Sequence, residues 1–437
     1  VYVEHLSLTG FRSYGQLDTA IEPGITVFVG PNGVGKTNIV EAIGYLATLS
    51  SHRVSTDKPL IAFGEERAII RGRFVRGTQR TSVEVEINAD AANRARINRS
   101  NPVRARDAAG ILKTVLFAPE DLALVKGDPS GRRRYLDDVM VSLLPHQSAL
   151  RADYERVLKQ RNALLKSARA AGRFSTAHDS TLDVWDQHLA QAGARLLSAR
   201  LLLTDQLRPH VQRAYKELTD GSKAADIAYV SSVSSSPDLR TDDDGGYTMP
   251  GASGEGLQDL ALPELTELFI ASLLRHRKKE LERGISLVGP HRDELALLLG
   301  SAPAKGYASH GETWSMALAL RLASYYLLLE EDSTPAGDPV LILDDVFAEL
   351  DAQRRTRLAA IVAPAEQVLV TAAVGDDIPG ALLGRQIRVV PGGIEGAGGA
   401  DVRQTDARGG DVPEASGGRH DVGEVDAGEV DAGEVDA

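Results

Sequence analysis

The sequence predicts an α/β fold built around a nucleotide-binding P-loop and interrupted by a helical insertion. Three observations point there. Gly30-Pro31-Asn32-Gly33-Val34-Gly35-Lys36-Thr37 matches G-x-x-x-x-G-K-[ST] in full and follows the apolar run Ile25-Thr-Val-Phe-Val29. Roughly 300 residues later, the apolar run Pro339-Val-Leu-Ile-Leu343 ends in Asp344-Asp345, the pattern of a buried strand that presents carboxylates at its C-terminal end. Between the two, from Leu150 onward, apolar residues recur at alternating spacings of four and three, a helical period.

Taken in order, Tyr2-Val3, Leu6, Leu8, Ile21 and Ile25 to Val29 read as strands separated by turn residues. In the P-loop, Gly30, Gly33 and Gly35 let the backbone turn its N–H groups toward phosphate oxygens. Lys36 brings a point charge to the β/γ-phosphates, and the Thr37 hydroxyl is placed to ligate Mg²⁺. A helix must follow so that its positive end faces the phosphates, and Asn38 to Leu49 fits one. A chance Gly-rich turn is the alternative, and a strand before with a helix after argue against it. Alternating stretches at Ala68 to Val75 and Ser82 to Ile87 continue the β-rich lobe.

Leu150, Tyr154, Val157, Arg161, Leu164 and Ala168 form one heptad-like stripe, and Trp185, Leu189, Ala192, Leu196, Ala199 and Leu203 another. Two helices of about 20 residues joined by a Gly/Ser turn would make a hairpin arm about 30 Å long at 1.5 Å per residue, which grades into an ordinary helical subdomain. Ser231 to Gly256 reads as an exposed loop, Leu262 to Arg283 as a helix, and Ile285 to Val288 leads into Gly289-Pro-His-Arg-Asp293. A second αβ segment runs to about residue 391. Beyond it lie three copies of GEVDA, residues 423–427, 428–432 and 433–437, too poor in apolar residues to fold. The domain expectation is therefore 1–145 for a first nucleotide-binding lobe, 146–284 for the helical insertion, 285–391 for the rest of the head and 392–437 for a disordered acidic tail.

At 437 residues the chain has room for two or three domains, and 43% hydrophobic with 25% charged residues is ordinary for a globular protein. With no cysteine, disulfides, thiolate metal sites and thiol catalysis are excluded. No apolar run reaches the ~20 residues of a membrane span and no signal pattern opens the chain, so the expected location is the cytoplasm. A start on Val1 rather than Met fits a non-AUG codon translated literally, and a trimmed chain equally. The net charge of −12 is uneven: residues 401–437 carry 11 acidic and 3 basic side chains, net −8, which leaves −4 for residues 1–400. Three basic clusters stand out: Arg94, Arg96, Arg99, Arg104 and Arg106; Arg132-Arg133-Arg134; and Arg275-His276-Arg277-Lys278-Lys279. Each is consistent with phosphate contacts on a nucleic acid, although solvated helix or loop faces explain such runs more often.

The acidic pair assigns Asp344 to the metal and Asp345 to activation of the attacking water. Ser309-His310-Gly311-Glu312 precedes an expected amphipathic helix with Trp314, Ala317, Leu318, Leu322, Tyr325 and Leu329 on one stripe, so Ser309 and Gly311 sit at a helix N-terminus that favours an anion. Asp351, in Ala348-Glu-Leu-Asp351, reads by itself as the start of a further helix.

The P-loop, the S-x-G-E segment and LILDDVFAELD, in that order, resemble the ABC-type head of the SMC-like ATPases. Gly10-Phe-Arg-Ser-Tyr14, Phe117-Ala-Pro-Glu-Asp-Leu122, Gly131-Arg-Arg-Arg-Tyr-Leu-Asp137 and Gly289 to Asp293 resemble, more closely, the bacterial RecF family of recombinational-repair proteins, over residues 1–390. The fold this resemblance implies is an α/β ABC-type P-loop ATPase head with an inserted short helical-hairpin arm.

The same resemblance implies a slow DNA-stimulated ATPase that uses ATP and Mg²⁺ and leaves DNA covalently unchanged. It implies a homodimer formed on ATP, binding to gapped DNA or duplex–single-strand junctions, cooperation with RecO and RecR in loading a RecA-type recombinase, and association with the nucleoid. Ser309 and Gly311 would contact a nucleotide held by Lys36 of the other subunit, and Asp351 would bridge the interface. Arg12 and Asn32 would lie near the phosphates, and Glu120 would stand at the metal-sensing Q-loop position. Three departures from the ABC pattern are Asp345 in place of Glu, Thr371 at the switch-histidine position and the bulky His310 in the signature turn. A structural SMC-like ATPase would carry a far longer arm. A transporter subunit would need a membrane partner, and a nuclease of the overcoming-lysogenization type a further acidic domain. An ATPase subunit of another DNA-processing complex is the remaining alternative.

Overall fold

The computed structural model describes residues 1–170, 176–221, 223–234, 256–331, 337–375 and 378–395. The predicted arm turn, most of the predicted 231–256 loop and the acidic repeats lie outside the described residues.

An antiparallel ribbon, β1 (Tyr2–Phe11) and β2 (Tyr14–Ala20), opens the chain. β3 (Gly24–Val29) follows and runs into the P-loop and α1 (Lys36–Thr48). β4 (Arg67–Arg76), β5 (Gln79–Asn88), β6 (Arg94–Ile97) and β7 (Val103–Arg104) extend the ribbon into a six-stranded antiparallel sheet in the order β2-β1-β4-β5-β6-β7. After β8 (Thr114–Phe117) come α2 (Leu122–Lys126), α3 (Pro129–Leu143), α4 (Ser148–Ala170) and α5 (Thr176–Leu218). The insertion and the return to the head comprise β9 (Ala225–Val230), α6 (Leu262–Arg283), β10 (Glu294–Leu299), β11 (Ala302–Pro303), α7 (Ala304–Tyr307) and α8 (His310–Glu331). The chain then supplies β12 (Val340–Asp344), α9 (Ala352–Val362), β13 (Gln367–Ala372), β14 (Arg385–Val390) and β15 (Gly393–Glu395).

The second six-stranded sheet has the order β15-β14-β3-β13-β12-β8, parallel from β14 to β8 with β15 antiparallel at its edge. Its central strands β12 and β13 are buried along their whole length because both faces are covered. Phe28, Val340 and Ile342 pack toward α1 and the antiparallel sheet, whereas Val27, Leu341 and Leu343 pack toward α5 and α8. This layering brings the C-terminal ends of β3, β13, β12 and β8 to one edge, the usual ligand edge of an open parallel sheet.

Several expectations are corrected. α5 is 43 residues long, twice the predicted length, or about 65 Å at 1.5 Å per residue. It continues past the arm to bury Leu207, Val211, Ala214 and Leu218 in the head, through Pro209, a residue type that ordinarily breaks or kinks a helix interior. α8 is not amphipathic: every residue from Thr313 to Leu320 is buried, because the sheet and α5 cover it from different sides. Ser231 and Val233, at the start of the predicted exposed loop, are fully buried. Strand β15 extends the ordered sheet past residue 391, into the segment 392–437 expected to be disordered.

Buried ion pairs hold the arm together and join it to the head. Arg161 of α4, fully buried, binds Asp186 of α5 at 2.6 Å, Glu280 of α6 at 2.7 Å and the Ser286 hydroxyl at 2.8 Å. Arg200 of α5 makes a bidentate pair with Asp137 of α3 at 2.8 and 3.0 Å and donates to the Pro290 carbonyl at 2.8 Å. The basic triplet in α3 also belongs to this joint. Arg132 is buried against Glu294 at 2.7 Å, and Arg133 donates to the Asp293 carbonyl, so the expectation of a phosphate-facing cluster fails there. Three helical positions in a row point to different sides, and here all three meet protein, Arg134 donating to the Ser51 carbonyl at 2.9 Å.

His291, in the same joint, lies 2.7 Å from the Tyr154 hydroxyl, and burial holds its pKa down to about 4. Its folded-state pKa is below the unfolded value near 6.5, so its contribution to stability is complete above 6.5 and is lost as pH falls toward 4. Between pH 6.5 and 5 the expected loss is about 2 kcal/mol. Denaturation midpoints measured across that range should fall more steeply for the wild type than for His291→Gln. Parallel curves would remove His291 from the account.

Candidate active site

The P-loop is shaped by what surrounds it. Gly35 has φ +112°, and a Cβ there would meet the Tyr14 hydroxyl at 2.7 Å and Ser13 Oγ at 2.9 Å. At Gly30 a Cβ would meet the Val389 carbonyl oxygen at 2.5 Å. The FRSY segment thus buttresses the loop, with the Tyr14 hydroxyl donating to the Gly35 carbonyl at 3.2 Å and Asn38 Nδ2 to Ser13 Oγ at 2.9 Å. Lys36 is buried, and its Nζ donates to the carbonyls of Gly30 at 2.8 Å and Pro31 at 3.1 Å, and to Asn32 Oδ1 at 3.4 Å. The ammonium therefore sits inside the cradle formed by Gly30 to Val34. Arg12 lies beside the loop with its guanidinium committed to Glu41 of α1, at 2.9 and 2.6 Å, and to the Pro59 carbonyl at 3.0 Å.

β12 delivers Asp344, and β13, lying between β12 and β3, delivers Thr371 in direct register with it. The Thr371 hydroxyl donates to Asp344 Oδ1 at 2.6 Å and accepts from the Asp345 N–H at 2.9 Å, fixing both acids. Thr37 Oγ1 donates to the same Asp344 oxygen at 3.0 Å. Two oxygens at adjacent corners of an octahedron with ~2.1 Å metal bonds stand about 3 Å apart, so this pair fits Mg²⁺. Among the described residues no three His, Cys, Asp or Glu side chains form a metal-holding group.

Asp345 adopts a left-handed conformation, φ +50°, unfavourable for a residue with a Cβ. Burial and the neighbouring Asp344 carboxylate push its pKa above the ordinary aspartate range, with Glu120 adding to the effect and Lys36 opposing it. Glu120 is exposed, just beyond the end of β8, and the adjoining Asp121 is held by Arg321 of α8 at 2.6 Å.

Ser309, Gly311 and Asp351 make a second cluster. Ser309 is exposed and forms a reciprocal cap with Glu312: its N–H donates to Glu312 Oε2 at 2.8 Å, and the Glu312 N–H donates to Ser309 Oγ at 3.3 Å. Lys223 and those bonds hold the Glu312 carboxyl down to about 2. Asp351 caps α9 by accepting from the Arg354 N–H at 2.9 Å. The Arg354 side chain reaches Ser315 Oγ at 2.8 Å, and it is the atom group a Cβ on Gly311 would strike. The signature turn is thus tied to Asp351 through Arg354, while Thr37 and Thr371 both bond Asp344 and Thr371 also accepts from the Asp345 N–H.

Sequence reasoning misses two members of these clusters and the role of a third. Arg354 follows Asp351 by three residues, as a residue meeting a cap would. His52 gives no sequence signal: it follows the end of α1, yet its buried Nε2 lies 3.8 Å from Asp344 Oδ2 and has no hydrogen-bond partner among the described residues. Thr371, visible in the sequence only as the occupant of the switch position, is the residue that orients both acids.

A family model described as the RecF/RecN/SMC N terminal domain matches residues 2–380. The chain is 65% identical over 403 residues to the DNA replication and repair protein RecF of Pseudarthrobacter chlorophenolicus, covering 90% of this chain and 99% of that one. To the protein of the same name from Streptomyces avermitilis it is 55% identical over 397 residues, covering 90% of this chain and 100% of that one. Among solved structures, that of the recombination mediator protein RecF with ATP, in the RecFOR pathway, superposes with a TM-score of 0.76 at 24% identity over 90% of this chain and 97% of that one, a likeness of fold.

Proposed function

The chain belongs to the RecF family of DNA replication and repair proteins, and from that premise we propose that it is an ATP-gated DNA clamp of recombinational repair. Gly30 to Thr37 hold ATP, with Lys36 on the β/γ-phosphates. Thr37 and Asp344 hold Mg²⁺, with Glu120 beside them. When bound there, Mg²⁺ supplies positive charge to the polyphosphate. Asp345, oriented by Thr371, takes a proton from the attacking water, a role suited to a carboxylate of raised pKa. Ser309 and Gly311 of a second copy complete the site from across a head-to-head interface, and Asp351 lies along it.

The observation that carries this reading is the exposed, preorganised signature turn. Ser309 is exposed, preorganised by its cap, and bonded to its own Glu312 rather than to its own P-loop. ATP then favours the dimer because it contacts two subunits at once. The closed dimer binds gapped duplex DNA, hydrolysis releases it, and RecO- and RecR-type partners carry the process to a RecA-type recombinase. The DNA remains covalently unchanged.

Light scattering of the purified protein with and without ATP·Mg²⁺, each with and without a gapped duplex, tests this. An ATP-dependent shift from monomer to dimer is expected. Ser309→Arg should abolish it, and Asp345→Asn should prolong it by stalling hydrolysis. A monomer indifferent to ATP, or a Ser309→Arg variant that dimerises normally, would overturn the composite site.

A further inference from the structure

The first arginine cluster of the sequence, unused by the nucleotide site, is part of a larger surface. Strand alternation turns Ile70, Val83, Val85 and Ala95 toward the core and Arg71, Arg73, Arg94 and Arg96 toward solvent. Residues 67–104, all in or between strands of the antiparallel sheet, contain nine arginines and three acidic residues, in a body whose charge is otherwise negative. Arg71, Arg73, Arg96 and Arg99, with Ser7 and Ser82, line an open groove of about 580 Å³ on this face.

The carboxylates here are too few for the arginines. Glu84 lies between Arg71 at 2.5 Å and Arg96 at 2.9 Å, and Glu4 between Arg73 at 2.5 Å and Arg80 at 3.1 Å. Arg94 stands directly opposite Arg104 across β6 and β7, a like-charge pairing that costs stability. Arg99 is presented at the rim on a turn in which Asn98 and Arg99 both have positive φ, +51° and +61°. Exposed ion pairs of this kind are individually weak, about 0.2–1 kcal/mol, so the guanidiniums can leave them for phosphate oxygens, which they grip in bidentate fashion.

We infer that this outer face of the antiparallel sheet binds the sugar–phosphate backbone of duplex DNA, an inference that rests on the proposed DNA-binding function. The contacts are to backbone, so they set affinity and salt dependence and not sequence preference.

The test is fluorescence anisotropy of a labelled gapped duplex with ATP·Mg²⁺ over a salt series, for the wild type and for the combined variant Arg94→Gln, Arg99→Gln, Arg104→Gln. All three side chains are exposed, so the fold and ATP affinity should be unchanged, checked by thermal midpoint and nucleotide titration. A fall in DNA affinity of tenfold or more is expected, with the slope of log K against log salt reduced by about 2–3, near 0.9 for each phosphate that the variant leaves unneutralised. Wild-type affinity and slope in the variant would overturn the inference. So would a variant that keeps DNA binding but loses binding of poly-glutamate, which would assign the face to an acidic protein. A wild type that dimerises on ATP yet ignores DNA would instead bring down the DNA-binding function beneath it.

Discussion

Lys36→Ala should lower ATP affinity by about thirtyfold or more and remove the ATP-induced dimer with it. Lys36 is buried, and its ammonium occupies the cradle between Gly30 and Asn32, where each of its bonds is to a neutral loop oxygen. A polyphosphate in that cradle replaces weak neutral partners with a charged one, and truncating one side of a desolvated charge pair typically costs about 2–5 kcal/mol. Every 1.4 kcal/mol is a factor of ten, so the low end of that range is already about thirtyfold and the middle several hundredfold. Calorimetric titration of ATP·Mg²⁺ measures this directly, with a thermal melt to show that the variant folds. ATP affinity within about threefold of the wild type would remove Lys36 from the phosphate site.

Arg161→Met should destabilise the arm by about 3–5 kcal/mol, because it leaves the Asp186 and Glu280 carboxylates buried with less compensation. Asp186 retains Arg277 at 2.7 Å, whereas the Glu280 carboxylate is left with the Leu287 N–H. The damage should concentrate where α4, α5 and α6 meet, so protease cleavage of the arm is expected to rise before the head melts. Nucleotide binding, which depends on α1 and the parallel sheet, should persist at low temperature. A variant with wild-type protease resistance and an unchanged unfolding midpoint would show that the arm is held by apolar packing alone.

How much of this is legible in the sequence varies by element, for physical reasons. β3, the P-loop, α6 and β12 read closely because each carries a local signal: an apolar run, fixed glycine spacing, a capped periodic stretch. α5 reads at half its length because Pro209 and a change of packing partners mask one continuous helix. α8 reads as amphipathic because its polar positions are small or hydrogen-bonded, such as Ser315 and Ser324, and can be buried without cost. The candidate residues Lys36, Thr37, Asp344 and Asp345 are visible because their proposed chemistry demands a motif. Thr371, Arg354 and His52 act through contacts made only when distant strands and helices meet, and spacing along one chain does not encode them. Arg132 and Arg133 show the converse: members of a charge run conspicuous in sequence, they are consumed by buried partners at the far end of the insertion, 160 or more residues away.

The strand that bears the P-loop has a consequence for how the protein is made. β3 is paired on one side by β13 and on the other by β14, so the first motif to leave the ribosome has no neighbours until residues 367–390 arrive. At about 5–20 residues per second that wait is on the order of 20–70 s. Through that interval the nascent chain carries a complete phosphate-binding sequence and no sheet to hold it. A chain cut short anywhere before β13 therefore lacks both strands that flank β3 in the sheet.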